Sequence, residues 1–197
     1  MENYNYFNSI ETIIIKNNTF KNLKINIFFF YMIKNIHIEI SKGTSVKYEY
    51  KDGKLIVDRF LKLPFVYPFN YGYIPNTLGR DGDALDAVVI CEEPILPCAT
   101  IKCKLIGVLK TTDESGEDNK FIFVPDDSID ENSKNINTLS DLKQNQLEKI
   151  KYFFMHYKDN QSSKWIEVGD YEVKNINSIF NDSNVIGTNT VESYISL

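Results

Sequence analysis

Three carboxylates stand within six residues at Asp81-Gly-Asp-Ala-Leu-Asp86, and the chain runs from them straight into the apolar Ala87-Val-Val-Ile90. Carboxylates held this close repel one another, so the cluster is favourable only when protons or metal ions neutralise it. Hard divalent cations that prefer oxygen ligands, Mg²⁺ or Ca²⁺, suit it at neutral pH. An EF-hand calcium loop does not: Asp81, Asp83 and Glu92 fall at its first, third and twelfth positions, but Leu85 takes the fifth and Asp86 the sixth, where the bend needs Gly. The β-branched run downstream puts the cluster where a loop enters a strand. A Gly-containing loop on a rigid strand end can aim several carboxylates at one point.

A second acidic stretch, Thr111-Thr-Asp-Glu-Ser-Gly-Glu-Asp-Asn-Lys120, lies between the strand-like Ile101-Lys-Cys-Lys-Leu-Ile-Gly-Val-Leu109 and Phe121-Ile-Phe-Val124. Alone it reads as an ordinary solvated hairpin, because Asp, Glu, Ser and Gly are turn residues. Beside the first cluster it reads differently, since two loops on barrel strands can converge at one mouth. Cations accompany these anions. Lys47-Tyr-Glu49 alternates as a strand does, with Lys47 and Glu49 on one face, and Arg59 follows the Asp52-Gly53 hairpin turn. Lys120, Tyr157 and Lys158 add donors. Metal ions with Lys, Arg and Tyr around one pocket describe recognition of a phosphorylated or polyphosphate group.

In these stretches the chain resembles the bacterial-type family I soluble inorganic pyrophosphatases. Asp81-Gly-Asp-Ala-Leu-Asp86 matches the family's Asp-Gly-Asp-Pro-x-Asp signature, with Ala84 in place of Pro. Glu39 within Ile38-Glu-Ile40, Lys47-Tyr-Glu49, Val57-Asp-Arg-Phe60, Tyr67-Pro-Phe-Asn-Tyr-Gly-Tyr73, Gly107 to Lys120 and Phe153-Phe-Met-His-Tyr-Lys158 have counterparts in the same order. Ser41 departs where Pro is usual. The resemblance runs from Ile36 to about Val168.

The resemblance implies Mg²⁺-dependent hydrolysis of inorganic pyrophosphate to two orthophosphates, with several Mg²⁺ ions per site. By it Asp81, Asp86, Asp113 and Asp118 ligate metal, and Glu39 and Glu49 do so directly or through water. Lys47, Arg59, Tyr71, Lys120, Tyr157 and Lys158 contact the phosphoryl groups, while Tyr67 and Glu114 support the pocket. Asp83 is the implied base, taking a proton from a metal-activated water that attacks phosphorus in line without a covalent intermediate. The implied fold is mainly β with flanking helices (α+β), built on a five-stranded OB-type closed β-barrel. The family also implies a homo-oligomer, a hexamer ahead of a dimer, acting on Mg-pyrophosphate, and the chain's three cysteines read as those of a cytoplasmic protein.

Composition is consistent with this. A chain of 197 residues, 43% hydrophobic and 25% charged, can bury one core. Its net charge of −5 argues against nucleic-acid binding, which rests on an excess of Lys and Arg. An OB module that stacks single-stranded nucleic acid on Tyr67, Tyr71 and Tyr73 would face carboxylates that repel the phosphate backbone. A catalytically dead relative would have lost one of Asp83, Asp86 or Asp118, and all three are present. Cys91, Cys98 and Cys103 form no Cys-x-x-Cys pair and read as reduced thiols, Cys103 as core.

Strand-like segments near residues 36 to 40, 46 to 51, 54 to 60, 84 to 90, 100 to 110 and 120 to 124 suit a small closed antiparallel barrel. Leu142, Leu147, Ile150, Phe153, Phe154 and Tyr157 lie at helical spacing, with Thr138 and Asp141 as a capping box at the helix start. His156 falls on this helix and His37 on a strand. A second helix is expected around residues 173 to 180. Residues 1–34, rich in Asn, Ile, Lys and Phe, lie outside the resemblance as an extension, and residues 35–197 form the pyrophosphatase-like domain. Met32 is the expected true start. The apolar run from Ile25 to Ile33 is too short to span a bilayer, which takes about 20 residues.

Overall fold

A closed ring of five strands carries the molecule. The computed structural model describes residues 33–62, 64–159 and 164–185, so the expected extension and the Met32 start fall outside the described residues, apart from residues 33 and 34. Those two belong to β1 (Ile33–Ile40), which is followed by β2 (Val46–Lys51), β3 (Lys54–Phe60), β4 (Asn70–Tyr73) and β5 (Asp86–Val89). Then come β6 (Thr100–Asp113), β7 (Gly116–Glu117), β8 (Lys120–Pro125), helix α1 (Gln144–His156), β9 (Ile166–Glu172) and helix α2 (Ile176–Ser183). Strands run in the order β1, β4, β5, β8, β6, and β6 pairs back with β1. β7 and β9 extend the sheet from β6, and β2 with β3 forms a separate two-stranded sheet.

The ring differs from the expected antiparallel barrel at one pairing: β5 and β8 are parallel, with Ala87 opposite Phe121 and Val89 opposite Phe123. This pairing positions the site. Parallel neighbours begin at the same end of a barrel, so the loops feeding β5 and β8 must open at one mouth. Those loops are the two acidic stretches.

Alternation builds the core. Ile36, Ile38 and Ile40 of β1 turn inward and are fully buried. All six residues of β8 are buried, as in a strand covered on both faces. Phe153 and Phe154 of α1 pack on Tyr67 and Phe69, with ring centroids of Tyr67 and Phe153 at 4.7 Å and of Phe69 and Phe154 at 5.4 Å. Cys103 is fully buried in this core and its thiol is pushed up by burial. Cys91 and Cys98 are also free thiols, Cys98 exposed. No helix among the described residues is long and apolar enough to cross a membrane.

The capping signal sits on a different element from the one expected. Asp141 Oδ2 accepts from the backbone N–H groups of Asn137 and Thr138 at 2.9 and 3.0 Å, but these hold a 3-10 turn, Leu139–Asp141. Leu142 then turns extended (φ −80°, ψ 153°), and α1 starts afresh at Gln144. A Thr-x-x-Asp pattern satisfies one helical turn of either kind, so the motif cannot say how far the helix continues. The second helix appears three residues later than expected at its start, at Ile176.

Close backbone approach fixes the strand beneath the cleft. A Cβ on Gly72 would lie 1.9 Å from the carbonyl oxygen of His37 on the neighbouring β1. Gly72→Ala should therefore cost about 3 kcal/mol or more by forcing β1 and β4 apart. Urea unfolding measures it, and a loss below about 1 kcal/mol would mean the sheet accommodates the methyl group.

Candidate active site

The two acidic loops and the hairpin enclose one cleft of about 510 Å³. Its floor is the start of the parallel pair. Asp86 opens β5 and Lys120 opens β8, side by side. Lys120 is 1% exposed, donates to Asp86 and lies 2.6 Å from Asp118 Oδ1. Burial works to lower this ammonium's pKa, but the Asp86 and Asp118 charges outweigh it and drive it well above its ordinary value. Asp81 and Asp83 line the cleft from the first loop, where the Asp83 backbone N–H donates to Asp81 Oδ1 at 3.1 Å. Gly82 there adopts φ +91°, a conformation that favours glycine.

From the second loop come Asp113, Glu114 and Asp118, with Lys158 just beyond α1 reaching across to them. Lys158 Nζ lies 2.9 Å from Asp113 Oδ2 and 3.4 Å from Glu114 Oε2. Tyr71 and Tyr157 complete this side. The opposite wall is the hairpin: Lys47 and Arg59 are cross-strand neighbours, and Asp58 Oδ2 holds both, at 3.0 and 2.5 Å. The Nε of Arg59 is buried without a hydrogen-bond partner among the described residues. Glu39 and Glu49 line the cleft near this wall, Glu49 Oε1 accepting from Lys47 at 2.7 Å.

Every residue anticipated for the site lies on this cleft except Tyr67. That ring is buried behind it, its centroid 5.8 Å from that of Tyr71, where it backs the site from the core. The sequence reading missed Lys51, which lies 2.7 Å from Glu49 Oε2, along with Tyr50, Tyr73 and Lys164 on the cleft wall. Lys51 was within reach of the reading, because Lys47, Glu49 and Lys51 alternate along one strand.

Electrostatics divides these carboxylates. Burial pushes Glu39 up to about 7, against the backbone N–H of Tyr50. Burial likewise pushes Asp118 to about 7, with Lys120 opposing and Asp86 adding to the rise. Asp86 is also raised by burial, but Lys120 and the hydrogen bonds it accepts outweigh this and hold it below its ordinary range. Hydrogen bonds from Lys47 and Lys51 hold Glu49 down at about 2.

These shifts set a pH dependence. Between their unfolded values and about 7, Asp118 and Glu39 keep protons in the folded protein that the unfolded chain releases. The folded state then binds more protons, so stability falls as pH rises. His37, lowered by burial, works the other way, but as one group against two. The metal-free protein should therefore melt lower at pH 8 than at pH 5, and Mg²⁺ should narrow the gap by neutralising the same carboxylates. Thermal unfolding in EDTA checks this, and an upward slope would mean the carboxylates are ionised in the fold.

Among the described residues, no group of three carboxylate, imidazole or thiol side chains converges as a ready-made metal cage. Ammonium groups stand among the carboxylates instead, with Lys120 on Asp86 and Asp118 and Lys158 on Asp113. The carboxylate donors on the cleft are all oxygen, which fits a hard divalent ion.

An OB-like ring with a cleft of alternating carboxylates and ammonium groups defines a protein that handles a polyanion together with cations. Residues 36–180 match the family model described as inorganic pyrophosphatase. The inorganic pyrophosphatase of Nanoarchaeum equitans is 50% identical over 134 residues, which are 68% of this chain and 84% of that one. That of Aquifex pyrophilus is 45% identical over 136 residues, 68% of this chain and 77% of the other. The solved structure of the Helicobacter pylori inorganic pyrophosphatase superposes with a TM-score of 0.74 at 39% identity, covering 78% of this chain and 92% of that one. The chain belongs to the inorganic pyrophosphatase family, in its bacterial-type family I branch. It is a hydrolase of the diphosphate bond, from a family whose members are generally metal-dependent.

Proposed function

We propose that this cleft hydrolyses inorganic pyrophosphate to two orthophosphates by in-line attack of water, with Mg²⁺ as cofactor and no covalent intermediate. The observation that carries the reading is the gathering of both acidic loops and the hairpin cations around one space, with the buried Nε of Arg59 left for a ligand to satisfy. Lys47 and Arg59 on the hairpin and Lys120 and Lys158 on the floor bind the two phosphoryl groups from opposite sides, and Tyr71 and Tyr157 donate hydrogen bonds. Asp81, Asp86, Asp113 and Asp118 hold Mg²⁺, several ions in all, with Glu39 and Glu49 as direct or water-mediated ligands. Mg²⁺, when bound, lowers the pKa of water from about 15.7 and offsets negative charge on the phosphoryl oxygens. Asp83 accepts the proton of the attacking water. Lys120 and Lys158 neutralise the charge that grows on the departing phosphate. Glu114 and Tyr67 support the cleft, Glu114 by its bonds to Lys158 and to the Trp165 N–H at 3.3 Å.

Residues 35–197 form the pyrophosphatase domain in this reading, and a cytoplasmic homo-oligomer, a hexamer ahead of a dimer, is the assembly that sedimentation of the full chain tests. The activity is tested by orthophosphate release from pyrophosphate with and without Mg²⁺. Strict dependence on the ion is expected. A folded, Mg²⁺-loaded protein that releases no phosphate would overturn the reading and leave a binding role.

A further inference from the structure

The two acidic loops meet again behind the cleft, at the end of α2, beyond the residues matched to the family. Asn184 Oδ1 accepts from the backbone N–H of Leu78 at 3.0 Å, and the backbone N–H of Val185 donates to the Leu78 carbonyl at 2.8 Å. Both polar groups of Leu78 are thereby held immediately before the Gly79 to Asp83 turn, which the Gly79 N–H closes by donating to the Asp83 carbonyl at 2.7 Å. One residue earlier, the buried Ser183 hydroxyl donates to Glu117 Oε1 at 3.2 Å and accepts from Asn119 Nδ2 at 3.4 Å. Glu117 and Asn119 flank Asp118, and Asn119 also donates to Glu117. A space of about 20 Å³, roughly one water, lies at this junction between Asp81, Asp86, Asp118 and Ser183, so little slack separates the bracket from the carboxylates.

Helix α2 is itself anchored to the ring. Phe180 meets Phe121 of β8 edge to face at 5.4 Å, and Lys34 of β1 sits 4.7 Å over the Phe180 ring. The chain after Phe180 thus starts from a fixed point and ends on both loops.

We infer that Ser183 and Asn184 are positioning residues, a bracket that sets the separation between the loop carrying Asp81, Asp83 and Asp86 and the loop carrying Asp118, and so sets how tightly the cleft holds divalent cations. The inference rests on the metal-dependent reading above. Groups that orient metal ligands without touching the ion are worth about 10-fold to 100-fold in metal affinity when removed. Their loss here should act on Mg²⁺ binding far more than on the chemical step.

The test compares the full chain with Ser183→Ala/Asn184→Ala and with Asn184→Asp, whose carboxylate can still accept from Leu78. Mg²⁺ binding is titrated by calorimetry, and phosphate release is followed against Mg²⁺ concentration. The double variant should bind Mg²⁺ about 10-fold more weakly and need about 10-fold more for half-maximal rate. Its kcat at saturating Mg²⁺ should stay within about twofold, and Asn184→Asp should bind like the parent. Unchanged Mg²⁺ affinity in a folded double variant overturns the inference, as does equal weakening in Asn184→Asp. A double variant that fails to fold leaves the comparison to Asn184→Ala against Asn184→Asp, where equal affinities overturn it. A parent that binds Mg²⁺ but releases no phosphate would sink the proposed reaction, and the bracket would still stand or fall on the affinity ratio.

Discussion

Asp83→Asn should lower Mg²⁺-dependent phosphate release by about 10²-fold to 10⁴-fold, the range for removing a positioned general base. Asn keeps the size of the side chain, and the loop is held by backbone atoms of this residue: its N–H donates to Asp81 and its carbonyl accepts from Gly79. The substitution therefore removes a proton acceptor and leaves its surroundings in place. Asp83 is exposed, as Asp81 is, but Asp81 Oδ1 accepts from the Asp83 N–H and Asp86 is committed to Lys120. An acceptor that gains and loses a proton in each turnover needs that freedom. Orthophosphate release at saturating Mg²⁺ is the measurement. A variant within about tenfold of the parent would keep the enzyme and move the base to another carboxylate.

Lys120→Met should have the largest effect on the metal-free fold, about 3–5 kcal/mol, because removing one partner of a buried ion pair strands the other. Methionine refills most of the volume beside Phe154, over whose ring Lys120 Nζ lies at 5.7 Å, so packing contributes little to the loss. What remains is the half-buried pair Asp86 and Asp118 without the ammonium group between them. The loss should be smaller at pH 5, where Asp118 takes a proton, and smaller again when Mg²⁺ supplies the missing charge. Urea unfolding at pH 5 and pH 8, in EDTA and in Mg²⁺, separates these contributions. A deficit indifferent to both pH and metal would reduce Lys120 to a packing residue. Phosphate release should also fall by about 10²-fold if Lys120 is the proposed donor to the phosphoryl oxygens.

Much of the fold was legible because its signals are local. The Asp52-Gly53 turn between alternating runs marks β2 and β3 to the residue. β4 was missed: it has four residues, follows Pro68 and contains Gly72, so it lacks the length of a recognisable strand. β9 was missed because Gly169 interrupts the alternation of Ile166 and Val168, and it gains its place by pairing with β6. The parallel pairing of β5 and β8 lies beyond any local pattern, since both strands look alike whichever way their partner runs. The residues that line the cleft were readable from their motifs. That Lys120 is buried among its carboxylates was not, because a lysine after an acidic loop reads as solvated until the ring closes over it.

The separateness of the β2–β3 hairpin has a consequence for motion. It shares no strand pairing with the ring, and its base is closed by the Leu61 N–H donating to Ser45 at 2.7 Å. A two-stranded hairpin is marginal in water by itself, and this one is tied to β1 through the Tyr50 N–H on Glu39 at 2.7 Å and the Tyr50 ring on His37, so it should open before the ring does. Its amides should exchange with deuterium through a shallow local opening, and those of β5 and β8 only when the whole molecule unfolds. Since Lys47, Glu49 and Arg59 ride on the hairpin, each such opening would carry one wall of the cleft away from the other and let trapped anions escape.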